Sequence, residues 1–406
     1  MIENTNENKL INFFEGYLKK EPLFINKKVL QSNYTPDTIL HREEQITQIA
    51  EVLAPCLRVE KPSNLFIYGK VGTGKSLVAT YTTHKIMEIA EKNNLPIKVC
   101  YLNCKLKRVA DTEYRLISQL CRDLGVDVPA TGLPTDEVYK IFIKSLEQAK
   151  SLLIIVLDEI DQLVHKTGDE ILYNLTRLNS ELKISQLSFI GISNDLVFTD
   201  SLDPRVKSSL SEEEFVFPPY NALQLQEILR QRSNIAFREN TVDDGVIEKC
   251  AAYAAREHGD ARRALELLRV AGEIAERKNE IKIVTKHIDM AEAKIERDKI
   301  IDIITTQPKQ FKITLFSILE SEGNKPGRVR TGEIYERYKE NCTRCFVKPL
   351  TQRRVSDIIA ELDMLGIINA KVISKGRGGR TREICLAVPN SNIPKMHECL
   401  KEGLNL

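Results

Sequence analysis

The chain has 406 residues, 42% hydrophobic and 29% charged, and its 59 Lys or Arg against 57 Asp or Glu leave a net charge of +2. That length suits two or three domains, each with its own core, and the composition excludes both a polycation and a disordered acidic chain. No apolar stretch approaches the ~18 residues needed to span a bilayer, and the start, MIENTNENKL, lacks a signal-peptide core, so a cytoplasmic protein with no membrane partner is expected. Nine cysteines are scattered along the chain, with Cys342-x-x-Cys345 the only C-x-x-C pair; without a second such pair or histidines nearby in sequence, thiols are expected there rather than zinc. The charge is uneven. From Gly323 to Arg382 fourteen Lys or Arg face six Asp or Glu, a net of +8, which leaves −6 for the rest.

Taken in chain order, residues 1–30 place Leu10, Phe13, Phe14, Tyr17 and Leu18 at helical spacing, the pattern of a docked N-terminal arm. From Tyr34 to Pro218 apolar runs (NLFIY, IKVCYLNC, LLIIVLD, LSFIGIS, EFVFPP) alternate with helical ones, which predicts an α/β fold with a parallel sheet between helices and a ligand at the carboxyl ends of the strands. After Pro218-Pro219 the pattern is helical from Ala222 to about Thr305. From Gln307 onward three short helices and a β-hairpin are expected. The expected domains are therefore residues 1–219, 220–305 and 306–406.

Residues 69–76 read GKVGTGKS directly after the run Asn64–Tyr68 and open a helix expected over Leu77–Lys92. Gly69, Lys70, Val71, Gly72, Thr73 and Gly74 form a loop whose backbone N–H groups cradle phosphates; Lys75 supplies charge to the outer phosphates, and the Ser76 hydroxyl, followed by Leu77, suits Mg²⁺. ATP or ADP with Mg²⁺ is the implied cofactor. The run LLIIVLDEID predicts a central buried strand ending in two carboxylates. Adjacent strand residues point to opposite faces, so Asp158 is assigned to the metal and Glu159 to the attacking water, if strand geometry persists that far. Asn194, at the end of LSFIGISN, is within reach of the γ-phosphate or the water. Arg262, in Gly259-Asp260-Ala261-Arg262-Arg263 at a helix start, can close over the phosphates from a helical lid, while Arg263 faces solvent or the bundle.

This order of motifs resembles an AAA+ ATPase: P-loop, acidic strand end, sensor Asn, then sensor Arg in a lid. Four segments together are similar to archaeal origin-recognition (ORC-type) replication initiators: Tyr34-Thr35-Pro36-Asp37-Thr38-Ile39-Leu40-His41-Arg42-Glu43, LDEID, Leu202 to Leu210, and GDARRAL. The likeness runs from about residue 12 to residue 390. It implies an AAA+ P-loop sheet with a helical lid followed by a winged helix, and places Tyr34, Pro36 and Arg42, with Tyr220 and Arg232, at the nucleotide. It also puts Arg205 in a segment that supplies an arginine finger in related assemblies; the alternative for Arg205 is an ion pair within the domain.

The basic tail points the same way. Helices over Lys312–Glu322, one capped by Thr331 and running to Lys339, and one over Gln352–Leu365 capped by Thr351, with strands at Ala370–Ser374 and Thr381–Val388, outline a winged helix. Gln352, Arg353 and Arg354 open the third helix, the part usually presented to the major groove, and Lys375, Arg377 and Arg380 lie in the wing. Between Asn103 and Ile141 the chain is longer than a crossover requires and carries Lys105, Lys107 and Arg108; in the resembled family such an insertion touches DNA, and the alternative is an ordinary surface crossover.

The resemblance thus implies a nucleoid-associated initiator that binds double-stranded origin DNA, with a replicative helicase and paralogous initiators as partners and slow ATP hydrolysis as a switch. A ring motor acting on DNA junctions, a signalling ATPase with an internal winged helix, and a clamp-loader subunit are the competing readings.

Overall fold

The structure is a computed structural model and describes residues 21–406 except 33, 106–111, 130, 199–201, 211, 325–328, 375–379 and 390–391. The arm residues Leu10, Phe13, Phe14, Tyr17 and Leu18, together with Lys107, Arg108, Lys375 and Arg377, lie outside the described residues. The chain divides into two compact units, Met1–Ile288 and Asp289–Leu406.

The first unit is built on five parallel strands in the order β2-β3-β4-β1-β5. These are β1 Leu65–Gly69, β2 Ile97–Asn103, β3 Leu152–Asp158, β4 Gln186–Ser193 and β5 Glu213–Phe217. Every residue of β3 is buried, as a central strand covered by helices on both faces requires. Two apolar clusters fill the faces, one around Phe66, Leu153, Ile155 and Phe189, the other around Ile67, Ile154, Val156 and Ile190. The alternation of these residues along β3 follows from successive side chains pointing to opposite sides. Register brings the carboxyl ends together: Asp158 pairs with Asn103 and Ile192, and Tyr68 with Ser193. The P-loop, the acidic strand end and Asn194 therefore meet although they are far apart in sequence.

The stretch 103–141 is not an appendage. It folds into helices Glu113–Asp123 and Thr135–Ala149, whose Leu116, Ile117, Leu120, Val138, Phe142 and Leu146 enter the same cluster as Phe66. The extra length is spent covering one sheet face with two helices instead of one, and Lys105 stands just ahead of them.

The lid follows. Helix Ala222–Ala236 begins with a capping box, in which Asn221 Oδ1 accepts from the Gln224 N–H at 2.9 Å and Gln224 Oε1 from the Asn221 N–H at 3.0 Å. Helices Val246–Arg256 and Ala261–Arg277 complete this layer, with Asp260 capping the latter through Arg262 N–H at 2.8 Å and Arg263 N–H at 3.2 Å. Residues 21–31 dock on it: the Ile25 N–H donates to the Ala236 carbonyl at 2.8 Å, and the Phe24 and Phe237 rings lie 4.7 Å apart.

The second unit takes up most of helix Thr285–Thr306, then helices Lys309–Asn324, Thr331–Arg344 and Gln352–Met364, and an antiparallel sheet ordered β6-β8-β7, with β6 Val329–Arg330, β7 Ile368–Ser374 and β8 Arg380–Leu386. Three expectations are corrected here. Thr331 is not a cap: Arg330 occupies that position and the Thr331 hydroxyl instead accepts from the Arg382 N–H at 3.3 Å, stitching the helix start to β8. The second helix runs on to Arg344, because Tyr338 and Cys342 continue its buried stripe. A further helix, Ile393–Leu404, closes the core with Met396, Leu400 and Leu404. Cys342 and Cys345 lie in this apolar core, where burial pushes both thiols up in pKa.

Candidate functional site

Helix Lys75–Lys92 begins inside the P-loop rather than at Leu77, with Gly74 at φ 91 before it. Lys75 is buried, and its ammonium donates to the carbonyls of Gly69 and Lys70, both at 2.8 Å, and to Asn194 Oδ1 at 2.9 Å. One side chain thus links β1 to the end of β4. Burial pushes the Lys75 pKa down to about 8, with Asp158 acting to raise it and Arg262 to lower it.

Asp158 closes β3, but the strand ends there. Glu159 takes a left-handed conformation, φ 55, and starts helix Ile160–Thr167, so the expected opposition of two strand neighbours does not hold. Instead the Glu159 N–H donates to Asp158 Oδ1 at 3.0 Å, and the Tyr101 hydroxyl donates to Asp158 Oδ2. Burial, then the nearby Asp158 charge, push the Tyr101 phenol well above its ordinary pKa. Glu159 is 21% exposed and lies 3.7 Å from the ammonium of Lys105. Asp161, one turn on, accepts from the Ser193 hydroxyl at 2.9 Å, fastening β4 beside β3.

The lid meets the loop directly. The Ala261 N–H donates to the Gly72 carbonyl at 3.2 Å. A Cβ on Gly72, at φ 73, would lie 1.7 Å from Asp260 Oδ1, so only glycine fits. Gly259, at φ 69, is confined in the same way: a Cβ there would lie 2.3 Å from the Tyr220 carbonyl oxygen. Lys70 Nζ lies 3.3 Å from His258 Nδ1.

A cavity of about 210 Å³ opens beside the loop. Its wall includes Tyr34, Pro36, Gly72, Gly74, Ser76, Leu77, Tyr220, Arg232 and Arg262. The Arg232 guanidinium lies 4.7 Å from the Tyr34 ring centre. Sequence reasoning passed over Val29, Ile228, Gln231 and Leu265; of these Val29, Ile228 and Leu265, with Ile39 from the segment Tyr34 to Arg42 that the resemblance places at the adenine pocket, supply apolar lining. The apolar pair Val29-Leu30 just ahead of that segment was the available signal.

Arg42 does not line this cavity. Its guanidinium stacks 3.9 Å from the Tyr220 ring centre and donates to the carbonyls of Thr73 at 2.9 Å, Pro218 at 2.6 Å and His41 at 3.0 Å. It ties the leading segment to the loop and to the start of the lid. Arg263 packs against Glu257 at 3.2 Å, on the bundle side. Arg205 forms a two-pronged pair with Asp203, 3.0 Å at each contact, over the Tyr173 ring.

These residues fit a magnesium nucleotide: a glycine-rich loop with Gly72 and Gly74 in the left-handed region, a buried ammonium bonded to carbonyl and amide oxygens, and a hydroxyl and carboxylate at the loop's edge.

In the second unit, Thr351 caps helix Gln352–Met364 through the Arg354 N–H at 3.4 Å, and Gln352, Arg353 and Arg354 are exposed on its first turn. Arg354 lies 3.7 Å from Asp357. Arg382 of β8 donates to the Ser356 carbonyl at 2.9 Å, fixing the sheet against this helix. Arg380 opens β8.

A parallel five-stranded sheet with a P-loop, a helical lid carrying Arg262, and a C-terminal winged helix define an AAA+ ATPase of the initiator class. Family models agree: an AAA domain matches residues 58–197, a Cdc6 AAA+ ATPase-type lid domain residues 226–293, and a CDC6 C-terminal winged helix domain residues 302–396. The chain is 51% identical over 397 residues to the ORC1-type DNA replication protein of Pyrococcus furiosus, covering 97% of this chain and 94% of the relative. It is 49% identical over 389 residues to ORC1-type DNA replication protein 1 of Methanosarcina acetivorans, covering 95% and 93%. Among solved structures, the Aeropyrum pernix ORC1 protein in complex with DNA superposes with a TM-score of 0.84 at 45% identity, covering 94% of this chain and 98% of that one. The chain belongs to the ORC1-type DNA replication protein family. Among the described residues no helix is long and apolar enough to cross a membrane.

Proposed function

We propose that this protein is a replication initiator that grips duplex origin DNA through its winged helix and changes that grip with the nucleotide held between sheet and lid. The observation that carries the reading is the junction at the loop: Lys75 bonded to Asn194 on one side, and Gly72 bonded to Ala261, next to Arg262, on the other. Any ligand that turns the loop N–H groups toward itself must also address the start of the lid helix. The lid leads into helix Thr285–Thr306, and from there the chain enters the winged-helix unit. The division of labour we infer is residues 1–219 for nucleotide, 220–305 for the lid and 306–406 for DNA. The DNA-bound ORC1 relative supports the last assignment.

Mg²⁺ and ATP would supply a polarised γ-phosphoryl group with its charge partly neutralised. Ser76 and Asp158 would hold the metal, and Lys75 the outer phosphates. Glu159 would orient water and accept its proton, Asn194 would hold that water or the γ-phosphate, and Arg262 would add charge from the lid. Tyr34, Pro36, Tyr220 and Arg232 surround the base and sugar, and Arg42 keeps the loop in place. Gln352, Arg353 and Arg354 face base edges; Lys375, Arg377 and Arg380 bind from the wing, and Lys105, Lys107 and Arg108 form a second DNA contact. Arg205 is held by Asp203 within its own domain rather than offered to a neighbouring site, which supports slow turnover by the isolated chain. Recruitment of a replicative helicase, beside paralogous initiators, is the downstream step.

Footprinting on genomic DNA tests this. Protection should differ between ATP and ADP; Lys75→Ala should bind neither nucleotide and lose the difference, while Glu159→Gln should retain ATP, fail to cleave it and keep the ATP pattern. Identical footprints in all these states would remove the switch, and cleavage by Glu159→Gln at the wild-type rate would remove Glu159 from its role.

A further inference from the structure

Phe346 is 98% exposed. Large aromatic side chains are usually buried for the area they remove from water, and singly exposed ones seldom combine that with an unfavourable backbone. Phe346 does: its φ is 54, the left-handed region that glycine or asparagine normally supplies just past a helix end. The turn imposes this conformation, since the Cys345 N–H donates to the Asn341 carbonyl and the Val347 N–H to the Cys342 carbonyl, each at 2.9 Å. Glycine would satisfy the same bonds without strain. The fold itself therefore gives no reason for a phenylalanine here, and strained, exposed residues tend to mark sites of contact.

The surrounding chain is fixed. Gln310 donates to the Lys348 carbonyl at 2.9 Å, and Leu350 exchanges bonds of 3.0 Å with Tyr338 and Tyr335. The ring is thus presented by a rigid turn six residues ahead of Gln352. The sequence around it is basic: residues 343–354 hold Arg344, Lys348, Arg353 and Arg354 and no acid, and all four cations are exposed. Arg344 lies 3.2 Å from Glu320 and Arg354 3.7 Å from Asp357, which leaves Lys348 and Arg353 as the cations of this window with no acid beside them among the described residues. An apolar ring in a segment of net positive charge complements a polyanion that also offers apolar edges, as duplex DNA does through its sugars and thymine methyl groups.

We propose that Phe346 makes an apolar contact with duplex DNA beside the start of helix Gln352–Met364, supplying affinity that does not depend on salt. This rests on the DNA-binding reading above and assigns it a residue that motif and charge did not mark. Full-length wild type, Phe346→Ala and Phe346→Gly would be titrated, at several salt concentrations, with a labelled duplex that the wild type selects from a random pool. Losing the contact should weaken binding by about tenfold at every salt concentration and leave the slope of log affinity against log salt unchanged. Phe346→Gly should also melt at a higher temperature than wild type, so a folding defect cannot account for the loss. Wild-type affinity in both variants overturns the proposal, as does a loss that disappears at low salt. A wild type that selects no duplex overturns the DNA-binding reading itself, and this inference with it.

Discussion

Lys75 shows how much one residue can carry and how little of its setting its motif reveals. GKVGTGKS marks it as the candidate phosphate lysine, but the bond to Asn194 and the depressed pKa arise from strands that only tertiary structure brings near. Burial holds Lys75 near pKa 8, whereas a phosphate would keep it charged, so binding takes up a proton above that pH. Nucleotide affinity should be level below about pH 7 and decline by up to tenfold per unit as pH rises beyond 8. Fluorescent-ADP titrations across this range would show it, and Arg262→Ala, by removing a neighbouring cation, should move the decline to higher pH. The stability effect has the opposite sense. An unfolded Lys titrates near 10.4, so the cost of burying this charge is fully present below pH 8 and is relieved as pH rises toward about 10. Glu159 offers the contrary lesson: its role was assigned from strand alternation, and its left-handed backbone invalidates that argument while leaving it next to Asp158.

At the level of elements, strands were legible because uninterrupted apolar runs such as LLIIVLD have few alternatives in an α/β chain. The stretch 103–141 was legible in part: a helix near Thr112–Leu124 is expected from sequence and found at Glu113–Asp123, but length alone does not separate a projecting insertion from two helices laid on the sheet. Phe142 decides between them by experiment. It is fully buried in the helix Thr135–Ala149, so Phe142→Ala should lower unfolding free energy by about 3–5 kcal/mol, read from urea denaturation, where an appended insertion would lose less than ~1 kcal/mol. Winged-helix boundaries slipped for a similar reason. Thr331 has the chemistry of a cap, yet the partner that claims its hydroxyl is Arg382, fifty-one residues away.

For the molecule as a whole, nucleotide binding and folding of the first unit should be coupled, because the cavity takes its walls from the leading segment, the P-loop and the lid at once. Nucleotide at a hundred times its Kd should stabilise this unit by about 2.7 kcal/mol, seen as a rise in its melting temperature that Lys75→Ala abolishes. The sequence by itself determined the parallel α/β class, the loop that cradles phosphate, the acidic strand end and the basic tail, since each is written in local pattern: periodicity, glycine spacing and charge. Only tertiary structure decided which residues share a site. Strand order sets β4 between β3 and β1, the lid turns Asp260 onto Gly72, and Val29, Gln31 and Ser32 join the cavity wall. Those choices depend on register and on close packing between distant segments, quantities that no short window of sequence contains.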